Sequence, residues 1–159
     1  MIESRDRSDL ERYTQICQTK FWQEIFRLEI AYIFEHVKQG EEMPFSTNSF
    51  DTVIYVASLQ FIENYKKAID RTTDILRPNG LLILMLLNTE SEFVKEKMKN
   101  PDSYMSKIKH KDLEKIQVVV EDKYDIETEY RIGVEGENIF ESRDRTNAVL
   151  YVIKGIRRR

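Results

Sequence analysis

Cysteine and histidine, the side chains most suited to act as a soft metal ligand or as a nucleophile and base pair near neutral pH, are few in this sequence. The chain has one cysteine, Cys17, and two histidines, His36 and His110, which are far apart in sequence. A single cysteine excludes an internal disulfide, and no Cys/His cluster has the spacing of a metal site. His36 falls in the last turn of a predicted helix, where the unpaired carbonyl groups stabilise a positive charge, so we interpret it as a capping residue. The sequence therefore predicts no catalytic residue and no metal.

The composition is typical of one soluble domain. The 159 residues are 41% hydrophobic and 33% charged, with a formal net charge of −3. This is enough apolar material for a core, and the charge gives no indication of a nucleic-acid partner. The N-terminus is charged throughout, and no apolar run approaches the ~18 residues of a membrane span. We therefore expect no membrane partner and a cytoplasmic location.

The elements that would position a site are clearest between residues 40 and 88. Phe50 to Ala57 is a β-branched apolar run of strand length. Pro78 ends the helix that follows, and we expect Gly80 to adopt a positive φ. Leu81 to Leu87 is apolar throughout, which is typical of a strand buried on both faces of a parallel α/β sheet. The helix between the two strands has one apolar face, which comprises Tyr65, Ala68, Ile69, Thr72, Ile75 and Leu76.

Three short motifs give this block a family resemblance. MPF occupies residues 43–45, SFD residues 49–51 and LRPNG residues 76–80. In their order and spacing they resemble the second half of the class I S-adenosylmethionine (SAM) dependent methyltransferases that act on small molecules, of the methyltransferase type 11 group. The resemblance implies a partial Rossmann-like sheet and SAM as the cofactor.

One part of the family pattern has no counterpart in the sequence. The family carries an acidic, glycine-rich loop after its first strand, because only glycine lets the backbone approach the ligand at a helix N-terminus. The five glycines here, at positions 40, 80, 133, 136 and 155, form no G-x-G. We therefore expect an internally truncated methyltransferase that lacks the SAM loop and family strands 1 to 3, either as a natural deletion or as an artefact.

The resemblance implies five cofactor-binding residues. Gln39 occupies the position of the family's acid that accepts a hydrogen bond from the adenine amino group, and a glutamine carbonyl can still accept it. Glu41 and Met43 match positions that flank the adenine, although a solvated acid and a core methionine are the plainer interpretation. Ser58 and Leu59 follow the first strand at the switch point of the sheet.

The remaining chain completes one predicted domain of residues 1–159. Residues 1–39 are expected to form N-terminal helices, residues 89–117 a helical surface segment with a short helix near 112–116, and residues 118–159 a β-hairpin. The apolar stretch Asn147 to Ile156 is predicted to be a central strand. In family naming, the strand order would be 4-5-7-6.

This order would place the strand Phe50 to Ala57 at an edge, which leads to a prediction about partners. A long apolar edge leaves its N–H and C=O groups unpaired. We therefore expect a homodimer, through this strand or through swapped N-terminal helices.

Two functions are compatible with the sequence. The first is a degenerate methyltransferase relative without methyl-transfer activity that acts as a dimeric interaction module. The second is an active SAM-dependent methyltransferase with an unknown small-molecule substrate and a reshaped or dimer-composite cofactor site, which would work mainly by positioning.

Overall fold

The computed structural model describes residues 43–136 and 138–159. The predicted N-terminal helices of residues 1–39 lie outside the described residues. The elements in chain order are β1 (Phe50–Val56), α1 (Tyr65–Ile75), β2 (Leu76–Leu87), α2 (Glu92–Lys99), α3 (Leu113–Glu121), β3 (Tyr124–Glu135), β4 (Asn138–Phe140) and β5 (Ala148–Arg157).

The five strands form one sheet in the order β1-β2-β5-β3-β4. β1 and β2 are parallel, with Val53 opposite Leu82, whereas the other pairs are antiparallel. The predicted order 4-5-7-6 corresponds to β1-β2-β5-β3 and is confirmed, and β4 adds a short strand beyond it. β5 is the predicted central strand, displaced by one residue.

Among the described residues, the main hydrophobic core lies on one face of the sheet. Alternate β2 residues, Leu82, Leu84 and Leu86, are fully buried there, beside Tyr55 of β1 and Ile153 of β5. The apolar faces of α1 and α3 cover these residues because their periodicity brings every third or fourth side chain to the sheet. The predicted face of α1 is confirmed, and its buried residues are Tyr65, Ala68, Ile69, Thr72 and Ile75. Leu76, which the sequence also assigned to this face, is buried as the first residue of β2.

The joint between α1 and β2 explains two of the sequence motifs. Arg77 of LRPNG donates from Nη1 to both carboxylate oxygens of Asp51 in SFD, at 2.7 and 2.8 Å. The positive φ of 63° belongs to Asn79 and not to Gly80, so that expectation was wrong. Glycine is required at position 80 because a Cβ there would lie 2.8 Å from the carbonyl oxygen of Arg77.

The segment between β2 and β3 contributes buried side chains as well as solvated ones. Met105 and Ile108 are buried, and α3 continues to Glu121, five residues beyond the predicted short helix. None of the helices in residues 43–136 and 138–159 combines the length and hydrophobicity needed to cross a membrane.

Candidate functional site at the carboxyl ends of β1 and β2

Gln60 fills the space beyond the carboxyl ends of the two parallel strands. It lies in the 3₁₀ turn Leu59–Phe61 and is fully buried. Its Nε2 donates to the carbonyl oxygens of Leu87 at 3.0 Å and His110 at 3.3 Å, and its Oε1 accepts from the Leu87 N–H at 2.7 Å. The amide therefore joins β1, β2 and the loop before α3, and its hydrogen-bonding groups are already used by the protein.

Asn88 has the same role at the end of β2. Its Nδ2 donates to the carbonyl oxygens of Arg145 and Ala148, each at 2.7 Å, and its Oδ1 accepts from the Glu90 N–H at 3.1 Å. The side chain is fully buried. Asn88 thus fixes the loop before β5 onto the sheet, and both protons of its amide are used by backbone carbonyls.

His110 is a structural residue in this arrangement. Its Nε2 is 2.8 Å from the carbonyl oxygen of Ile62, so this nitrogen must donate, and its ring packs 4.6 Å from that of Tyr65. The tautomer that this bond fixes cannot accept a proton at Nε2.

The hydroxyl of Tyr55 is also used within the core. Thr72 donates its own proton to the carbonyl of Ala68, so Tyr55 is the donor in its 2.7 Å bond to the Thr72 hydroxyl. Burial raises the pKa of Tyr55. The side chain is therefore neutral and serves packing rather than proton transfer.

The predicted cofactor residues that the structure describes do not come together. The carbonyl oxygen of Met43 accepts from Arg71, at 3.1 and 2.9 Å, in the second half of α1. Ser58 and Leu59 precede the first turn of that helix, and Leu59 is fully buried. Arg71 lies six residues beyond Tyr65, the first residue of α1, and this corresponds to about 9 Å along the helix axis. Met43 is therefore held well beyond the end of α1 that follows Ser58 and Leu59.

Gln39 and Glu41 lie outside the described residues, so the cofactor-site prediction as a whole stays a prediction. Among the described residues, the two buried amides at the carboxyl edge, Gln60 and Asn88, bond to backbone groups and so do not fit a role in holding SAM. Within the part of the chain that the structure describes, no group of three or more His, Cys, Asp or Glu side chains could hold a metal ion.

Solved structures with the same fold include SAM-dependent methyltransferases. One from Thermotoga maritima has a TM-score of 0.64 and 19% identity over 75% of this chain and 61% of its own. One from Archaeoglobus fulgidus has a TM-score of 0.55 and 12% identity over 79% of this chain and 65% of its own. The chain has a Rossmann-like methyltransferase fold. This methyltransferase-like chain thus spans less than two thirds of the length of those proteins.

The sequence comparison agrees with the fold. The family model described as a methyltransferase domain matches residues 11–84, which include all three motifs. The resemblance seen in the sequence is therefore confirmed. No curated protein matches the methyltransferase-like chain.

Proposed function

We propose that this chain is a degenerate methyltransferase relative that transfers no methyl group and acts as an interaction module, forming a homodimer through β1. The observation that carries the proposal is the apolar edge strand. In the sheet of the described residues, β1 pairs with β2 alone. Its outer residues Ile54 and Val56 are 54% and 66% exposed.

The backbone of β1 offers a self-complementary edge. The N–H of Ala57 donates to the carbonyl of Met85 in β2, at 2.8 Å. Because alternate residues direct their backbone groups to opposite sides of a strand, Thr52, Ile54 and Val56 direct theirs to the free edge. An antiparallel copy, with its two-fold axis at Ile54, would form about six backbone hydrogen bonds.

Side-chain chemistry supports the same assembly. Ile54 would lie opposite its symmetry mate, and apolar cross-strand pairs stabilise antiparallel sheets by about 0.2–1 kcal/mol each. The nearest charged residue in the strand, Asp51, is paired with Arg77. No inward-pointing charge or proline in Phe50–Val56 protects the edge against pairing.

The absence of methyl transfer is supported by the carboxyl edge. Methyl transfer requires SAM to be held in line with a nucleophile. Gln60 and Asn88, the buried amides at this edge, bond to backbone groups of the protein instead. The turn Leu59–Phe61 contains no side chain that could act as a base.

The test is sedimentation equilibrium of the full chain and of Ile54→Pro. Proline removes one N–H at the free edge and leaves the ladder with β2 intact, so we expect a wild-type dimer at micromolar concentration and a folded monomeric variant. Val118→Lys is the matched control, because Val118 is 64% exposed on α3, away from the edge. A wild-type monomer would refute the proposal. A dimer in both proteins would favour swapped N-terminal helices.

The alternative is an active SAM-dependent methyltransferase with a reshaped or dimer-composite site. The shared fold with SAM-dependent methyltransferases favours it. Its substrate would be a small molecule, and SAM binding distinguishes it from the inactive module.

A further inference from the structure

A cleft of about 570 Å³ lies between α3 and the sheet, beside the carboxyl end of β2. Its volume is within the range of roughly 300–1,000 Å³ that small-molecule sites occupy. The cleft is lined by α3, β3, β5 and the loops around residues 90, 111 and 145. It is separate from the β1 edge and does not depend on the dimer.

The floor of the cleft is aromatic. The rings of Tyr130 and Tyr151 have centroids 4.9 Å apart at 44°, and Tyr151 donates its hydroxyl proton to Gln117 on α3. Tyr130 and Thr128 also line the cleft. Among the described residues, neither of their hydroxyls has a hydrogen-bond partner. The floor therefore combines a ring surface with two available hydroxyl groups, which suits a planar ligand.

Two carboxylates at the cleft are neutralised by their own partners. Arg145 holds Glu90 through two nitrogens, one of them 2.6 Å from Oε1, and this hydrogen bond lowers the pKa of Glu90. Asp112 caps α3 and lies 3.2 Å from the Lys115 ammonium. These pairs leave no net charge for a ligand.

One carboxylate, of Glu114, and one ammonium group, of Lys111, then remain at the rim. The Glu114 carboxylate is 3.6 Å from the already paired Arg145, and it is 81% exposed. Within the described residues, the ammonium group of Lys111 has no acceptor. A ligand that carries both signs of charge could satisfy both groups.

We infer that the cleft binds a small aromatic zwitterion, namely an aromatic amino acid. Its ring packs on Tyr130 and Tyr151, its carboxylate pairs with Lys111 and its ammonium group pairs with Glu114. Each exposed charge pair contributes modestly, up to about a fivefold change in affinity. The aromatic surface supplies much of the rest.

The first test is an ¹⁵N-correlation NMR titration of the full chain with L-phenylalanine. It is compared with 2-phenylethylamine, which lacks the carboxylate, and 3-phenylpropionate, which lacks the ammonium group. We expect saturable shifts near Thr128, Tyr130 and the start of α3, and dissociation constants about two- to fivefold weaker for each analogue. Equal affinities, or no saturable shift at about 10 mM amino acid, where even millimolar binding registers, would overturn the inference.

Variants separate the two charges. Lys111→Gln should abolish the preference for L-phenylalanine over 2-phenylethylamine, and Glu114→Gln should abolish the preference over 3-phenylpropionate. Lys99→Gln, in the last turn of α2 and outside the cleft, is the matched control. If Lys111→Gln and Lys99→Gln proteins prefer L-phenylalanine over 2-phenylethylamine to the same extent, the pairing of Lys111 with the ligand carboxylate would be overturned. Tyr130→Leu should weaken all three ligands, and a Tyr130→Leu protein with wild-type affinities would contradict it.

Discussion

Replacing Gln60 by leucine should destabilise the fold far more than a typical glutamine substitution. Leucine is apolar and similar in size to glutamine, so it would fill the same fully buried position. It removes both partners of the Leu87 backbone and one donor to the His110 carbonyl. The effect therefore comes from lost hydrogen bonds and not from a cavity.

The size of the effect follows from these three contacts. The buried N–H of Leu87 would lose its acceptor, and leaving such a group without a partner costs about 1–3 kcal/mol. The carbonyls of Leu87 and His110 each lose a hydrogen bond with a net contribution of about 0.5–1.5 kcal/mol. Together these contributions amount to about 2–6 kcal/mol. We therefore expect Gln60→Leu to lower the free energy of unfolding by about 4 kcal/mol, a large share of the roughly 5–15 kcal/mol of a typical domain.

Urea denaturation followed by circular dichroism measures this difference. Gln117→Leu is the matched control, because Gln117 is half-buried and bonds to side chains of Glu121 and Tyr151 instead of backbone groups. We expect a loss of about 2 kcal/mol for the control, from two side-chain hydrogen bonds of about 0.5–1.5 kcal/mol each. Equal losses in the two variants, or a Gln60→Leu protein as stable as the wild type, would refute the structural role of Gln60.

Two further predictions concern the sheet. Burial raises the pKa of Tyr124 from 10.0 to about 12. The contribution of neutral Tyr124 to the free energy of unfolding is therefore complete below pH 10 and is lost as the pH rises towards about 12. Tyr124→Phe should weaken this alkaline loss of stability, and an unchanged pH profile would contradict it. Gly155→Ala should cost about 1–2 kcal/mol, because its Cβ would meet the buried Tyr124 at 3.0 Å. Gly133→Ala should lower the free energy of unfolding by less, because the Phe140 ring that it would displace is 39% exposed and can move. Chemical denaturation compares the two variants, and a larger loss for Gly133→Ala would refute this reasoning.

The sequence predicted the strands and their order because hydrophobic periodicity and family motifs are local signals. Leu81 to Leu87 is apolar without interruption, which identified it as a strand. Burial on both faces was only partly right, because Leu81, Ile83 and Met85 are half-buried while the alternate leucines are fully buried. The helix face from Tyr65 to Leu76 was also readable from its spacing. The positive φ at Asn79 was missed because asparagine and glycine are both permissive in that turn.

The carboxyl edge could not be predicted to the same depth because its contacts are long-range. Gln60 bonds to groups 27 and 50 residues away, so its sequence neighbours give no sign of them. The aromatic cleft has the same origin, since its lining comes from residues between Glu90 and Tyr151. Only the register of β3 against β5, which places Tyr130 opposite Tyr151, brings its rings together.

Calorimetric titration of the full chain with SAM and with S-adenosylhomocysteine tests the central claim most directly, at protein concentrations that keep the dimer intact. The proposed inactive module predicts no binding heat at millimolar ligand. Binding tighter than about 100 μM, or roughly 5.5 kcal/mol, would contradict it and would favour the active enzyme with a reshaped or composite site.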